Sequence, residues 1–398
     1  MRAQPAHRDR GFTLVELMVA IAIGLVVLAG IVTVFITQRQ VLASSSAQGA
    51  IQNADNAVSA ILSPALRGAG FTGCGTLATA GNVINYSTAA TPWVFSRGNF
   101  AAPVFGFDAN GTDNGGSYTL TALNAANDGN AGDWTPALPA SLTGDVEQGS
   151  DVLIINGEIP GTHPMGVPVV NQGAVPNQFT VYNAGAANPS ATPIQFTDAN
   201  GNPVTAMVSA VAVSDCAKSS IFYPVMASST ALSNPVTVGA GNVTTSIQPV
   251  YQSGVQLAPL QQVAYFVGQT NAGQSALYQA TLVGGNWDLQ QLVPGVDNMQ
   301  VLYGVGLNGQ TTQYLSARGV AALQANPPSG VTSLPFNPWT IVNSVRIGLL
   351  VEGGLGSAPP GGSNPTQWNV LGTAITVPAD TRLRHVVTLT VNLRNTSL

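Results

Sequence analysis

The sequence predicts an α+β protein in which one long amino-terminal helix precedes a large, antiparallel β-rich head. Three observations in the 398 residues predict this fold. An almost unbroken apolar run covers residues 17–36, a periodic apolar stripe follows up to residue 65, and short alternating or apolar segments recur through residues 68–398. Helical periodicity is thus confined to the beginning of the chain, and strand periodicity dominates the rest.

The apolar run is long enough to cross a bilayer. At about 1.5 Å per residue, a helical run of this length spans ~30 Å, which is the thickness of the hydrocarbon core. Arg2, Arg8 and Arg10 precede the run and only Arg39 closely follows it, which orients the amino terminus to the cytoplasm. We therefore expect one inner-membrane span over residues 12–38, with the head outside the cytoplasm.

An ordinary secretory signal peptide is the alternative interpretation of this segment. Its apolar region would run for about 7–15 residues and end at a small-x-small cleavage site. The observed run is longer, although Ala43-Ser44-Ser45 could act as a poor cleavage site. An ordinary signal peptide also leaves Glu16 unexplained, because a carboxylate at the start of a membrane helix is costly and is by default a functional residue.

The segment Gly11-Phe12-Thr13-Leu14-Val15-Glu16-Leu17 resembles the class III signal of type IV pilins and pseudopilins. The resemblance implies that residues 1–11 are a cytoplasmic leader, which a prepilin peptidase removes after Gly11. It further implies that the same enzyme methylates the new amino group of Phe12. The apolar helix would be retained, first as a membrane anchor and later as the core of a filament.

Glu16 is then expected to set the axial register between subunits. The methylated amine of Phe12 stays basic, with a reference pKa of ~8. Inside an apolar filament core an unpaired carboxylate and an unpaired amine are both costly, and pairing Glu16 with the Phe12 amine of a neighbouring subunit removes both penalties. The alternative is that Glu16 rests among lipid headgroups, where its charge costs less.

The helix is predicted to continue beyond the membrane over residues 39–67. Apolar residues recur there at spacings of three and four, which places them on one helical face. They are Ala47, Ile51, Ala54, Val58, Ile61 and Ala65. Pro64 and Gly68 predict that the helix ends near residues 63–67.

Residues 68–398 are predicted to form an extracytoplasmic, β-rich head. Apolar or alternating runs, many of them bounded by Gly, Pro, Asn and Asp, predict strands. They cover residues 151–156, 178–182, 207–213, 262–267, 276–282, 299–305, 341–351 and 383–393. From 387 to 394 apolar and polar residues alternate, which is typical of a half-buried antiparallel strand. Residues 98–134 and 184–203 are rich in Gly, Asn, Ala and Asp and are interpreted as long loops.

A series of short blocks in the head resembles the PilW family of minor pilins. The blocks cover residues 67–74, 214–216, 295–304, 345–350 and 393–395. In that family Cys74 and Cys216 would be the natural disulfide pair. An even number of cysteines also fits an exported, oxidised head, while two buried free thiols are the alternative.

The composition disfavours several classes of function. Charged residues make up 7% of the chain and the formal net charge is −5, so the head offers no basic patch to a nucleic acid. His7, His163 and His385 stand alone and form no ligand-spaced cluster with cysteine, so no metal site is predicted. The scattered carboxylates nominate no acid–base pair, and we expect a non-catalytic protein.

Two glycine patterns and two acidic patterns are weaker signals. Gly68-x-Gly70-x-x-Gly73 and Gly304-x-Gly306-x-x-Gly309 match the dinucleotide fingerprint in letters, but neither lies in a predicted βαβ unit, so no cofactor is expected. Residues 108–113 and 198–202 resemble the opening of a calcium loop without its sixth-position Gly and twelfth-position Glu. Asx-rich turns are the simpler interpretation, and calcium binding stays open.

Membership of the PilW family would imply a role in starting and supporting pilus assembly within a minor-pilin complex near the pilus tip. The expected partners are other minor pilins, the major pilin, the prepilin peptidase and the inner-membrane assembly platform. A minor pseudopilin of a type II secretion system is the nearest alternative. A tip adhesin, with the Asn/Gly-rich loops as its binding surface, is a second alternative, whereas nothing in the sequence supports an anchored enzyme.

Overall fold

The computed structural model of the chain describes residues 13–73, 82–83, 102–121, 129–159, 162, 165–167, 178–179, 193–215, 219–228, 231–239, 255–270, 273–283, 286–307, 309–329, 337–358 and 365–395. Two cysteines, Cys74 and Cys216, lie outside these ranges, as do Gly11 and Phe12. The predicted disulfide and the predicted cleavage site therefore stay predictions.

The first element is a single continuous helix, α1, from Leu14 to Gly68. Its 55 residues correspond to a length of about 80 Å. Thr13 caps its amino terminus, and Ala69 is the residue at its carboxyl-terminal cap. The helix passes through Pro64 and ends one residue beyond the predicted interval, so the proline does not terminate it.

The face of α1 that packs on the head differs in part from the predicted stripe. The buried residues are Ala47, Ile51, Ala54, Val58, Leu62 and Leu66. Ile61 and Ala65 of the predicted stripe also pack against the core but are only half-buried, whereas Leu62 and Leu66, which were not predicted, are fully enclosed. Each step of four residues turns the helix about 40° past a full revolution, so the contact line rotates towards the two larger leucine side chains.

The described part of the head contains twenty-one strands and one further short helix, α2, at Ala317–Ala322. In chain order the strands are β1 Asn82–Val83, β2 Val104–Ala109, β3 Ser117–Thr119, β4 Trp134–Thr135, β5 Val152–Glu158, β6 Met165–Val167, β7 Gln178–Phe179, β8 Ala210–Ser214, β9 Ser219–Phe222, β10 Met226–Ser228, β11 Ala231–Leu232, β12 Val236–Thr237, β13 Val255–Gln269, β14 Ser275–Val283, β15 Asn286–Pro294, β16 Val296–Val305, β17 Gln313–Leu315, β18 Val342–Glu352, β19 Gln367–Val370, β20 Thr373–Thr376 and β21 Arg384–Asn392. Short 3₁₀ turns lie at Ala131–Asp133, Thr205–Met207 and Pro338–Ile341.

The described part of the head contains two large sheets and three small ones, β10-β11, β12-β7 and β19-β20-β3. The larger one runs β1-β9-β8-β13-β5-β2-β4, with β6 and β14 also paired to the long strand β13 and with β15 paired to β14. The second sheet has the order β17-β16-β18-β21 and is antiparallel throughout. The main hydrophobic core joins residues of α1 with residues of both sheets. The helix thus forms part of the core of the head along its carboxyl-terminal half.

Asp151 ties the two sheets together. One carboxylate oxygen accepts a hydrogen bond from the amide of Ala109 at 2.9 Å, and the other accepts from the amide of Val301 at 2.8 Å. These amides belong to β2 of the larger sheet and to β16 of the second sheet. Burial raises the pKa of Asp151 above its usual range, although the two amide hydrogen bonds oppose that shift.

Most predicted strands are present, with shifted ends. The alternation in β21 is confirmed, because Val387 and Val391 are buried while Thr388 and Thr390 are exposed. The run at 207–213 is one of these shifted strands, because β8 begins at Ala210 after a 3₁₀ turn that ends at Met207. One prediction is wrong: the 98–134 region, interpreted as a long loop, contains β2, which is buried along its whole length. The flanking glycines and asparagines obscured β2, whose short apolar segment is only six residues long.

Candidate functional site along the amino-terminal helix

The first half of α1 exposes an apolar surface that the head does not cover. Every Leu, Ile, Val, Met and Phe from Leu14 to Leu42 is between 48% and 74% exposed. By length and composition the helix is able to cross a membrane. Because large exposed apolar surfaces are rare on soluble monomers, this half of the helix requires a lipid or protein environment.

A capping box formed by Thr13 and Glu16 lies at the amino-terminal end of α1. The backbone amide and the hydroxyl of Thr13 donate to Oε2 of Glu16 at 3.2 and 3.1 Å, while the amide of Glu16 donates back to the Thr13 hydroxyl at 3.3 Å. Both bonds to the carboxylate reach the same oxygen, so Oε1 of Glu16 has no bond to any described residue. Sequence reasoning predicted the importance of Glu16 but not its pairing with Thr13.

The head first touches α1 at Ala47. Gly353, just after β18, approaches so closely that a Cβ atom at this glycine would lie 2.6 Å from the Cβ of Ala47. Ala47 is the first buried residue of α1, about 50 Å along the helix from Leu14. The junction is therefore a backbone-to-side-chain contact that only glycine permits.

The far end of α1 is held by the carboxyl-terminal region of the chain. The side-chain amide of Asn395 donates to the carbonyl of Arg67 at 3.4 Å and to that of Ala69 at 3.1 Å. Gly70, which has a φ of 76°, donates its amide to the carbonyl of Asn156 in β5 at 2.8 Å. The bonds from Asn395 satisfy carbonyls that a helix end leaves without partners, and the bond from Gly70 joins the end of α1 to β5. Two sequence blocks that carry the family resemblance, at 67–74 and 393–395, thus meet in space.

A buried network of charges lies behind the Ala47 contact. Arg382 donates to Glu352, the residue before Gly353, and Arg384 donates to Asp297 at 2.7 Å. Arg384 also forms a bidentate pair with Asp380, at 2.8 Å for each bond. Such pairs need good geometry to offset the cost of burying charge, and the bidentate fork supplies it.

The pKa values of two carboxylates in this network shift in opposite directions. Burial raises the pKa of Glu352, and the neighbouring charge of Asp297 raises it further. Partial burial alone would also raise the pKa of Asp380, but the hydrogen bonds from Arg384 and the positive charges of both arginines lower it overall. Glu352 therefore retains its proton more readily than Asp380 does.

In the two segments that resemble the opening of a calcium loop, residues 108–113 and 198–202, the acidic side chains contact other protein groups. Arg318 lies 3.4 Å from carboxylate oxygens of both Asp108 and Asp113, where a cation would bind. Asp198 accepts the amides of Asn200 and Asn202 at 2.9 and 2.8 Å, which is the geometry of an Asx turn. Within the described ranges no group of three or more His, Cys, Asp or Glu residues is arranged to hold a metal ion.

Sequence reasoning did not predict that two carboxylates are buried or half-buried and have raised pKa values. Asp108 is almost fully buried, and burial together with the charge of Asp151 raises its pKa. Glu158 lies in a groove beside the end of α1, and burial raises its pKa to about 7. In a chain with so few charges, each acidic residue inside a mainly apolar strand was a usable signal, and Glu158 is the last residue of β5, three positions after its apolar run.

Two family models match parts of the sequence. Residues 264–395 match the family model described as Type IV Pilus-assembly protein W. Residues 6–32 match the model of the prokaryotic N-terminal methylation motif. The first match contains the charge network, Gly353 and Asn395, and the second contains the capping box. No curated protein and no solved structure matches the chain.

Proposed function

Because the chain is a PilW-like type IV pilin, we propose that it acts as a minor pilin that helps to initiate and support assembly of the pilus. The observation that carries this proposal is the exposed apolar half of α1, joined without a break to the core of a large head. A surface of this kind packs against lipid before assembly and against neighbouring helices afterwards. The role is one of assembly and involves no chemical transformation.

In this proposal residues 12–38 form the membrane and filament-core segment, residues 39–67 form its amphipathic continuation, and residues 68–398 form the extracytoplasmic head. Cleavage after Gly11 exposes the amine of Phe12, next to the capping box. Oε1 of Glu16 then forms an ion pair with the Phe12 amine of a neighbouring subunit and accepts a hydrogen bond from it, while Oε2 still accepts hydrogen bonds from Thr13. The cap fixes the carboxylate, and the charge selects the axial register.

The proposed partners are other minor pilins and the major pilin, together with the prepilin peptidase and the inner-membrane assembly platform. We place the protein first in the inner membrane, with a cytoplasmic amino terminus and a periplasmic head, and later near the pilus tip. A bulky head is easier to accommodate at a tip than in repeated packing along a shaft. Cys74 and Cys216 would form a disulfide in the oxidising periplasm.

Two substitutions separate the cap of Glu16 from its charge. Glu16→Gln keeps a residue that can complete a capping box but removes the negative charge, while Thr13→Ala removes the cap and keeps the charge. We expect Glu16→Gln to abolish co-isolation with the other pilins and Thr13→Ala to preserve most of it. Co-isolation from membranes, with mass determination of the mature amino terminus, measures both effects. Unchanged association of Glu16→Gln would refute the register role.

The same isolation distinguishes the pilus from a secretion system. A minor pseudopilin of a type II secretion system would share the methylation motif and Glu16, so the two proposals differ in the proteins recovered. The match of residues 264–395 favours the pilus. Recovery of secretion-system tip proteins in place of pilus minor pilins would favour the pseudopilin.

A further inference from the structure

A groove of about 430 Å³ lies at the end of α1 that is farthest from the membrane segment. One wall is formed by α1, including Ile61 and Ala65, and the opposite wall by β5, β13 and β14. The lining is mostly apolar, and its volume falls in the range of pockets that enclose a small molecule or a single protruding side chain. Glu158 is the carboxylate in this lining.

Glu158 has no adequate partner within the described residues. Its single hydrogen bond comes from the hydroxyl of Thr162 at 3.5 Å, which is at the limit of a useful distance. That hydroxyl also donates to the carbonyl of Ile159 at 2.6 Å, so its proton is already committed. None of the described Arg or His side chains forms an ion pair with Glu158. A half-buried carboxylate without a cation is costly, and binding a cation would remove that cost.

A second polar group faces the groove beside this carboxylate. Gln261 of β13 is 9% exposed and lines the groove, and its side-chain amide makes no hydrogen bond to the part of the chain that the structure describes. The groove thus combines apolar walls, one unpaired carboxylate and one amide with free donor and acceptor capacity. This combination suits a cationic group on an apolar stem, because the stem covers the walls while its head reaches the polar groups.

We propose that the groove binds a Lys or Arg side chain carried on an apolar segment of a neighbouring pilus subunit other than a second copy of this chain. The alkyl stem lies along Ile61 and Ala65, and the charged head pairs with Glu158 and Gln261. The inference rests on the proposed function, since it requires a neighbouring subunit in the assembled complex. It adds a contact between heads to the contact between amino-terminal helices.

The position of the groove argues against a lipid. The apolar run ends at Ile36 and α1 ends at Gly68, so the groove lies roughly 45 Å beyond the membrane segment along the helix axis. A lipid headgroup does not reach it while α1 is anchored. The occupant is therefore expected to be a protein segment that extends from another head.

Charge argues against a second copy of this chain. The formal net charge is −5, so two copies repel each other. Of the five described head arginines, Arg318, Arg382 and Arg384 are engaged in ion pairs, and Arg346 stacks on the ring of Tyr314 at 4.0 Å. Only Arg394 is left exposed and outside these contacts. A subunit richer in lysine or arginine supplies the missing cation more readily.

Site-specific cross-linking in assembling cells tests the occupant. A photoreactive p-benzoylphenylalanine in place of Gln279, which lines the groove from β14, is activated in cells, and the cross-linked peptide is sequenced by mass spectrometry. We expect a peptide of another pilin in which a Lys or Arg adjoins apolar residues. Cross-links confined to a second copy or to lipid overturn the proposal, as does a peptide without a cation.

Charge variants then test the pairing itself. Glu158→Gln should lower the cross-link yield about tenfold while leaving the head folded, because it removes only the charge. Glu158→Lys combined with Lys→Glu or Arg→Glu at the identified partner position should restore the yield, whereas each single reversal should not. Folding is checked by the thermal unfolding of each variant. An undiminished yield in Glu158→Gln overturns the proposal.

Association through α1 is measured in the same cells, so the two proposals fail separately. Co-isolation that still depends on Glu16, without any groove cross-link, overturns the groove and leaves the assembly role intact. Loss of both signals in the unaltered protein overturns the assembly role as well. Cross-linking without Glu16-dependent association would leave the groove standing and overturn the register role.

Discussion

The two halves of α1 belong to one unbroken helix, yet their apolar side chains lie in opposite environments. From Leu14 to Leu42 the apolar side chains surround the helix and remain exposed, whereas from Ala47 to Leu66 they form a single buried line. The first half has no packing partner among the residues that the structure describes, so its stability depends on what surrounds it. The second half is part of the core of the head. One helix thus contains both an exposed apolar surface and a surface that is buried against the head.

The largest effect should come from truncating the buried half. Leu62→Ala removes a fully buried side chain and should lower the free energy of unfolding of the head by about 2–5 kcal/mol. Leu28→Ala in the exposed half is the matched control and should leave that free energy unchanged. Denaturant unfolding of the full chain in detergent measures both. Equal losses would mean that the two halves are not distinct.

The next effect concerns the place where the two halves meet. Gly353→Ala forces a Cβ atom against Ala47 and should destabilise the junction by about 1–3 kcal/mol. Gly354→Ala is a control in the adjacent position, because a Cβ there meets no atom within 4 Å. A drop in melting temperature for the first variant alone would locate the contact. Identical melting temperatures would show that the head does not approach Ala47 so closely.

A smaller effect is expected at the far end of the buried half. Asn395→Ala removes two hydrogen bonds to the carbonyls of α1 and should cost about 0.5–1.5 kcal/mol. Asn395→Asp should cost more, because it places a negative charge at the negative end of the helix dipole. Chemical denaturation compares the two variants. Equal stability of the Asn395→Asp and Asn395→Ala variants would contradict the role of Asn395 at the end of α1.

The comparison of the two halves also predicts a dependence on pH, which the buried carboxylates of the head should produce. Burial raises the pKa values of Asp108, Asp151 and Glu352, so the folded state holds their protons more tightly than the unfolded chain. Their net contribution is most favourable near the unfolded pKa of ~4 and is lost as the pH rises through the folded values. Asp380 behaves oppositely, because its lowered pKa gives stability that is lost as the pH falls below ~4.

The melting temperature of the head should therefore fall between about pH 5 and about pH 8. Asp108→Asn keeps the shape of this side chain without its titration, so the variant should show a shallower decline. Asp288 is an exposed carboxylate outside the core, and Asp288→Asn serves as the control. A melting temperature that rises over this interval would contradict the assignment of the buried carboxylates.

The sequence predicted elements whose signals are local. The membrane-length run, the continuous helix and the alternation of β21 follow from spacing alone. The choice between Ile61 and Leu62 did not, because both lie near the same face and the sheets decide which one is enclosed. Likewise, Arg384 and Asp297 pair across 87 positions, and no spacing rule connects them. The groove at Glu158 depends on three strands and a helix end, so it emerges only when the chain is folded.

The continuity of α1 has a mechanical consequence. Between Leu14 and Gly68 the helix contains no interruption, and its last turns are fixed in the head by Leu66 and Asn395. A rod without a hinge transmits axial displacement in full. When the proposed anchor segment leaves the bilayer, the head must therefore rise by the same distance, about 30 Å for a complete exit. Work done on the proposed anchor thus reaches the head as translation of a preformed body, and no refolding of the head is needed along the way.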